Sequence, residues 1–387
     1  MVICFDATIE GKQALDSLLA TGQFRDTSEV VSVSLVNYAT ICKALAEGGQ
    51  SAVDSLFRRP GGKAQAEYNA SSIQIRDPLK EGIKKPTLRI PEIFVLKSSN
   101  TNGLLLQPIA ENSGTNRRDL PPAKWLFGQY NKFLPVKAAC RALLNLLLKQ
   151  PAGVPLSEAL ETISNAAWEL GDYLYTQDLR AKRSREDALT AAFPTSASSG
   201  AVSRIRFANQ FIGDLRQPKR SENQPKEVKF NGFPAALKFV VCSDDKEPLL
   251  RLTIAGAEFA VFQNPVLDGG QDLVPRKFSD AETDFLLAHV DRSVPEETSA
   301  YVAIADAIGE GANTPDDVDK YLCRRFHLQV AIKAEAEYEI TQTFLTTQRT
   351  GAISRMVDLG LIAREKNGLQ VTYKITQPGQ RFRNQIK

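Results

Sequence analysis

Two short segments of the 387-residue chain each occur twice in nearly the same form. Gly200–Ile205 reads Gly-Ala-Val-Ser-Arg-Ile, and Gly351–Met356 reads Gly-Ala-Ile-Ser-Arg-Met. Each is followed by an apolar-Thr-x-x-Gly-x-x-Phe pattern, at Leu252–Phe259 and at Ile375–Phe382. Paired self-similarity of this kind is typical of duplicated supersecondary units. The sequence therefore predicts two copies of one unit, a short Arg-bearing helix followed by a strand.

Composition places the chain among ordinary globular proteins. Hydrophobic residues make up 43% and charged residues 24%, and the length suffices for two or three domains with their own cores. The sequence contains no apolar run of about 18 residues, which is the length that a membrane-spanning helix needs. Asp6 comes too early for a secretory signal, and no basic leader precedes it. We expect a cytoplasmic protein without membrane association.

Metal, cofactor and catalytic signatures are weak. The five cysteines never form a Cys-x-x-Cys pair, and the chain has two histidines, of which His327 follows Cys323 by four residues. Two ligands do not make a zinc site, so we expect no metal and no cofactor. No phosphate-binding loop, His-Glu-x-x-His or Gly-x-Ser-x-Gly motif occurs, and we expect no enzyme. The alternative is a divergent metal-dependent nuclease that uses Asp245 and Glu247.

The small net charge of +3 conceals a strong segregation. Residues 177–230 hold eleven basic and six acidic residues, and residues 341–387 hold eight and two. Between them, residues 231–320 hold seventeen acidic and seven basic residues. Basic blocks thus coincide with both copies of the repeated helix, as a surface that follows phosphates requires.

Residues 269–387 have the clearest pattern. We predict helices over Thr298–Glu310, from Thr314 to about Phe326, and over Thr347–Leu361. An Asn-Gly turn at Asn367 then predicts a hairpin that returns as a strand over Val371–Thr376. Over 135–268 we predict two apolar helices, the first repeated helix, and two strands.

This order of three helices and a hairpin resembles the winged-helix family of DNA-binding domains. The resemblance implies that the third helix enters the major groove and that the hairpin, the wing, contacts backbone or minor groove. Arg pairs with guanine, Gln with adenine, and Ser or Thr binds phosphate. The residues that the resemblance implies for DNA contact in the second copy are Thr347, Gln348, Arg349, Thr350, Ser354, Arg355, Arg364, Lys366 and Lys374.

The first copy matches less closely, because about 45 residues separate its helix from its Thr-x-x-Gly strand. Its wing must be enlarged or interrupted. The corresponding candidates for DNA contact are Ser199, Ser203, Arg204, Arg206, Arg216, Lys219 and Arg220. Winged helices also serve as protein-interaction modules, and tandem pairs occur in chromosome-organising accessory subunits as well as in plasmid replication initiators.

The N-terminal residues 1–49 resemble the ribbon-helix-helix family of DNA-binding dimers. A short strand and a short helix lead to a turn with Gly22, Arg25 and Ser28, and a longer helix follows. The strand carries no Lys or Arg, so dimerisation or a coincidental match is the alternative to base reading. Residues 50–134 are rich in turn formers and predict an irregular β-containing region.

These patterns together predict a mainly α protein with small β elements. Its predicted domains are a ribbon-helix-helix-like segment (1–49), an irregular region (50–134), a first winged-helix-like domain (135–268) and a second (269–387). We expect a homodimer that binds double-stranded DNA, in transcription regulation, in plasmid replication or partition, or as the recognition subunit of an antiviral defence or mobile-element complex. The alternative is a scaffold whose winged helices dock on partner proteins of a larger complex.

Overall fold

The computed structural model describes residues 89–108, 119–184, 187–196, 200–216, 229–243, 246–269, 276–331, 339–368 and 370–386. All of them lie within one compact unit, Lys84–Lys387, which is mainly helical with small sheets, as predicted. The segment 1–49 lies outside the described residues. So do Ser199, Lys219, Arg220 and Asp245.

The first section of the unit, residues 133–261, surrounds a central helix. Its elements are α1 (Phe133–Leu147), β1 (Val154–Pro155), α2 (Leu156–Arg180), α3 (Gly200–Phe211), β2 (Asp214–Arg216), β3 (Lys229–Asn231), α4 (Phe233–Ala236), β4 (Val240–Cys242), β5 (Leu249–Leu252) and α5 (Ile254–Val261). All fifteen residues of α1 are buried, as its nearly continuous apolar sequence requires. Strand β5 lies between β1 and β4 and is antiparallel to both, with Leu250 opposite Val154.

Helices α6 (Pro265–Asp268) and α7 (Asp280–Ser293) lead to the second section, residues 295–386. Its elements are α8 (Pro295–Gly309), α9 (Pro315–Arg325), β6 (Gln329–Ala331), β7 (Glu339–Thr341), α10 (Gln342–Asp358), β8 (Ile362–Asn367), β9 (Gln370–Ile375) and α11 (Gln377–Ile386). The three predicted helices and the predicted hairpin are present. Helix α10 begins five residues before the expected Thr347, because Thr341 caps it: the Thr341 hydroxyl accepts from the Phe344 N–H at 3.1 Å.

In the region expected to be irregular and to contain β-strands, the described residues hold little strand. Glu92–Phe94 and Pro122–Lys124 are 3₁₀ helices, each after a proline that fixes φ near the helical range. Gln107 forms a single parallel bridge with Thr253. Residues 119–132, which we call the strap, run along helix α10.

The Thr-x-x-Gly pattern of the first section is a joint between strand β5 and helix α5. The Thr253 hydroxyl accepts from the Gly256 N–H at 3.0 Å and donates to the Lys238 carbonyl at 2.8 Å. Gly256 lies so close to the chain after helix α4 that an added Cβ would be 2.0 Å from the Phe239 carbonyl oxygen. The joint therefore requires the threonine hydroxyl at position 253 and a glycine at position 256.

The second section has the same joint between β9 and α11. The Thr376 hydroxyl accepts from the Gly379 N–H at 3.1 Å and donates to the Gly360 carbonyl at 2.5 Å. A Cβ on Gly379 would lie 2.0 Å from the Leu361 carbonyl oxygen. The two copies of the Thr-x-x-Gly pattern are thus equivalent in three dimensions.

This equivalence corrects the pairing of the repeated helices. It matches the chain after α4 with the chain after α10, 122 residues further along, since Phe239 corresponds to Leu361. Gly200 and Gly351 are 151 residues apart and lie in α3 and α10, which are not equivalent. The shared Gly-Ala-x-Ser-Arg sequence is therefore not the structural repeat.

Two buried cations on α1 join the first section to the helices that follow it. Lys137 and Arg141 donate to the last carbonyls of α5, which have no partner within their own helix, at distances between 2.5 and 2.7 Å. Lys137 pairs with Glu282 of α7 at 2.9 Å, and Arg141 pairs with Asp268 of α6 at 2.7 Å. Burial lowers the pKa of Lys137 to about 8. A single core continues from here through both sections.

Among the described residues, no helix is both long and apolar enough to cross a membrane.

Candidate nucleic-acid interface

Helix α10 has three sides, and the first packs into its own section. Leu345, Ala352, Ile353 and Met356 are buried there at helical spacing. Arg349 lies on the same side, 5% exposed, with its Nε 2.6 Å from Asp319 of helix α9. This side fixes the helix against the section's core.

The second side lies under the strap. The Gln348 side-chain amide donates to the Pro122 carbonyl at 3.0 Å, and Arg355 donates to the Tyr130 carbonyl. Between them, Gly351 packs so closely that an added Cβ would be 2.1 Å from the Gly128 carbonyl oxygen. The strap therefore follows the helix for most of its length.

The strap side ends in an ion cluster. Asp358, at the end of α10, accepts from Lys132 at 3.2 Å and from Lys277 at 3.0 Å. The Asp358 side chain is 1% exposed, and burial lowers the pKa of Lys132 although Asp358 opposes the shift. This cluster attaches the end of α10 to the start of α1.

These contacts correct three of the expected groove-facing residues. Gln348, Arg349 and Arg355 lie in the interior, and the Arg355 side chain is fully buried against an equally buried Glu297 of α8. Arg349 and Arg355 were expected at the surface of the helix, in contact with DNA. The carboxylates that hold these two arginines inside come from other helices, so no local spacing in the sequence indicated them.

The third side of α10 is exposed, and we call it the outer arc. It contains Thr347, Thr350 and Ser354, three residues that the sequence assigned to DNA contact, together with Thr343 and Thr346. Thr343 and Thr350 are exposed, and the others are half-buried. The structure describes every residue of this helix, and none on the outer arc is charged.

The β8–β9 hairpin begins four residues after the end of α10 and carries the exposed cations that the outer arc lacks. Arg364, Lys366 and Lys374, the residues that the resemblance implies for contact by the wing, are all exposed. Lys374 lies 2.8 Å from Glu365 across the hairpin, and both side chains remain more than half exposed. Such a pair contributes little to stability, so the Lys374 ammonium remains available to a polyanion.

In the first section, the candidates lie on α3 and on strand β2. Arg204 is committed to α2, since its Nη1 donates to Asn165 at 2.7 Å and its guanidinium lies 5.0 Å from the Trp168 ring centroid. Ser203 is half-buried and Arg206 is exposed. Arg216 lies in β2 opposite Lys229. Two large apolar side chains of α3 are also exposed: Val202 is 59% and Ile205 60% exposed.

An open groove of about 960 Å³ runs beside α9 and the start of α10. Glu310, Asp316, Asp317 and Asp319 line it, against Lys320 and Arg324. Its negative excess disfavours phosphate. Within the described part of the chain, no three His, Cys, Asp or Glu side chains are grouped to hold a metal ion, and His327 lies beyond the end of α9, with φ 51°.

Comparison with protein-family models, with curated proteins and with solved structures gives no match for this chain. Its function must therefore be argued from the outer arc, the hairpin and the elements that hold them.

Proposed function

We propose that the protein binds double-stranded DNA through its second section, which we interpret as a winged-helix domain. The order α8, α9, α10, β8 and β9 supports this interpretation. The Tyr373 N–H also donates to the Asn313 carbonyl at 2.8 Å, so the chain before α9 adds an edge to the hairpin. Strand β1 adds the corresponding edge to β5 in the first section.

The observation that carries the proposal is the hairpin itself. Three exposed cations, Arg364, Lys366 and Lys374, lie on a hairpin that directly follows a helix with an uncharged polar outer arc. Cations on a wing suit contact with phosphates, which supplies most of the affinity for DNA, and a helix suits the width of the major groove. We propose that the wing positions the protein on the phosphate backbone and that α10 enters the major groove.

In this proposal the first section supports the strap and helix α10. Its counterpart of α10 is α4, a single turn in which Phe233 and Pro234 are buried. The Phe233 ring stacks on Tyr130 of the strap at 5.2 Å and lies 5.8 Å from the Arg355 guanidinium. We therefore propose one reading head per chain, and a homodimer that supplies two. Transcription regulation, plasmid replication or partition, and target recognition in a defence complex all use such binding.

The test is the fluorescence anisotropy of a labelled random-sequence duplex, titrated with the full chain at several salt concentrations. The triple variant Arg364→Ala, Lys366→Ala, Lys374→Ala removes the wing cations. We expect the dependence of log Kd on log salt to lose about two to three phosphate contacts in this variant.

The matched control removes three exposed cations from other places, as Arg276→Ala, Arg292→Ala and Lys320→Ala. It changes the net charge by the same amount and should bind as the wild type does. No binding at low salt, or an equal loss in both triple variants, contradicts the proposal.

A scaffold that docks on partner proteins is the second candidate, and one observation favours it: Val202 and Ile205 project from α3 into solvent. Contact through such side chains is apolar and depends little on salt. Under this alternative, Val202→Glu with Ile205→Glu abolishes association measured by light scattering or co-purification, while the wing variant leaves it unchanged. The nuclease alternative stays a prediction, because Asp245 lies outside the described residues.

A further inference from the structure

On the outer arc of α10, threonine hydroxyl groups are engaged within the helix. The Thr347 hydroxyl donates to the Thr343 carbonyl at 2.8 Å, and the Thr346 hydroxyl accepts from the Gln342 side-chain amide at 3.3 Å. A threonine hydroxyl has one hydrogen to donate. Thr347 uses this hydrogen within the helix, so it offers a ligand its γ-methyl group and an acceptor oxygen, and no donor.

An exposed aromatic residue lies next to the strap's closest contact with α10. Phe127 of the strap is 45% exposed and meets Tyr130 edge-on, with ring centroids 5.5 Å apart. The next residue, Gly128, packs against α10 so closely that an added Cβ would lie 2.2 Å from the Thr347 carbonyl oxygen. The backbone contact therefore places the exposed Phe127 one residue from the point where the strap meets Thr347 of the outer arc.

We infer that this surface, formed by Thr347, Thr350 and Phe127, recognises the C5-methyl groups of thymine in the major groove. The inference rests on the proposed DNA binding and adds its base specificity. Thymine is the base that presents a methyl group in that groove, and Thr methyl groups and Phe are among its usual apolar partners. Arginine readers of guanine are absent from this arc, because Arg349 and Arg355 are paired inside the protein.

The strap thereby acquires a role in recognition. It covers the side of α10 that would otherwise expose Gln348 and Arg355, and it leaves uncovered an arc without charge. Affinity then comes from the wing cations and sequence preference comes from apolar contacts, a division common in protein–DNA interfaces.

The experiment first enriches binding sequences from a random duplex pool with the full chain. The enriched duplex is then synthesised twice, once with thymine and once with deoxyuridine at every thymine position, which removes only the methyl groups. We expect the deoxyuridine duplex to bind about four-fold more weakly for each methyl group that the protein buries. Anisotropy at a fixed salt concentration measures both.

Paired variants locate the contact. Thr347→Ser with Thr350→Ser removes the methyl groups and keeps the hydroxyls, so the ratio of the two affinities should fall towards one. Thr347→Val with Thr350→Val keeps the methyl groups and should retain the ratio. Phe127→Ala should lower the ratio and Phe127→Leu should preserve most of it.

Each outcome decides between the claims. Equal binding of both duplexes by the wild type overturns the methyl contact and leaves DNA binding intact. Salt-sensitive binding that enriches no sequence, or that enriches a sequence without thymine, has the same meaning. A ratio that the serine variants do not change places the contact elsewhere and also overturns the inference. No binding of any duplex overturns the proposed function and this inference with it.

Discussion

Arg355 and Glu297 form an ion pair with both side chains fully buried. We expect Arg355→Ala to lower the free energy of unfolding by about 3–5 kcal/mol, because it leaves the Glu297 carboxylate buried without its partner. Chemical denaturation measures the loss. The control is Arg364→Ala, an exposed wing residue, which should change stability by less than about 0.5 kcal/mol. An Arg355→Ala protein as stable as the wild type would show that the pair is not buried.

His289 is a second residue whose environment allows a test. Its ring is 7% exposed, stacks on Phe239 at 4.7 Å, and places Nε2 2.7 Å from the Leu237 carbonyl oxygen. Burial lowers the pKa of His289 below 6.5, and Lys238 and Arg292 lower it further, although the Leu237 hydrogen bond opposes them. The folded state therefore disfavours protonation of the His289 ring.

The sign follows from proton binding. Above pH 6.5 the ring is neutral in both the folded and the unfolded chain, so it imposes no penalty. Below 6.5 the unfolded chain takes up the proton first, and stability falls until the pH reaches the folded-state pKa. We expect the melting temperature of the wild type to fall more steeply between pH 7 and pH 5 than that of His289→Phe. The exposed His327 is the control, and His327→Asn should keep the wild-type slope.

At the scale of elements, the two Thr-x-x-Gly joints hold each hairpin against the helix that follows it. Gly256→Ala and Gly379→Ala each place a Cβ 2.0 Å from a carbonyl oxygen, so the backbone must move. We expect each to cost about 1–3 kcal/mol or more in thermal or chemical denaturation. The exposed neighbours provide controls, since Glu258→Ala and Gln380→Ala leave the joints intact. Equal effects in the two glycine variants would support their equivalence, whereas a loss in one alone would oppose it.

At the scale of the whole described unit, the two sections share one core and are attached through Asp358, which pairs with Lys132 and Lys277. We expect Asp358→Ala to destabilise the protein by about 3 kcal/mol and to raise amide hydrogen exchange in α1 and α10 together. Glu365→Ala, which breaks an exposed pair, should leave both unchanged. Faster exchange confined to α10 would indicate that the sections open independently.

The sequence by itself determined the local structure of the second section. Helix periodicity, the Pro after Thr314 and the Asn-Gly turn are local signals, and helices α8, α9 and α10 and the hairpin formed where they indicated, within a few residues. Arg364, Lys366 and Lys374, which the resemblance placed on the wing, are exposed on that hairpin. The first repeated helix was matched to the wrong partner, because the six-residue similarity of Gly200–Ile205 to Gly351–Met356 does not follow the structural repeat that the two Thr-x-x-Gly joints define.

The tertiary structure alone decided which side of α10 faces outwards. Asp319 precedes Arg349 by 30 residues, Glu297 precedes Arg355 by 58, and Pro122 precedes Gln348 by 226. A burial pattern made by such distant partners leaves no periodic trace in the helix itself, because an arginine paired inside has the same letter as one exposed to solvent. The sequence of α10 suggested that its arginines contact DNA. Packing instead buries both arginines and leaves an uncharged, methyl-bearing outer arc at the surface.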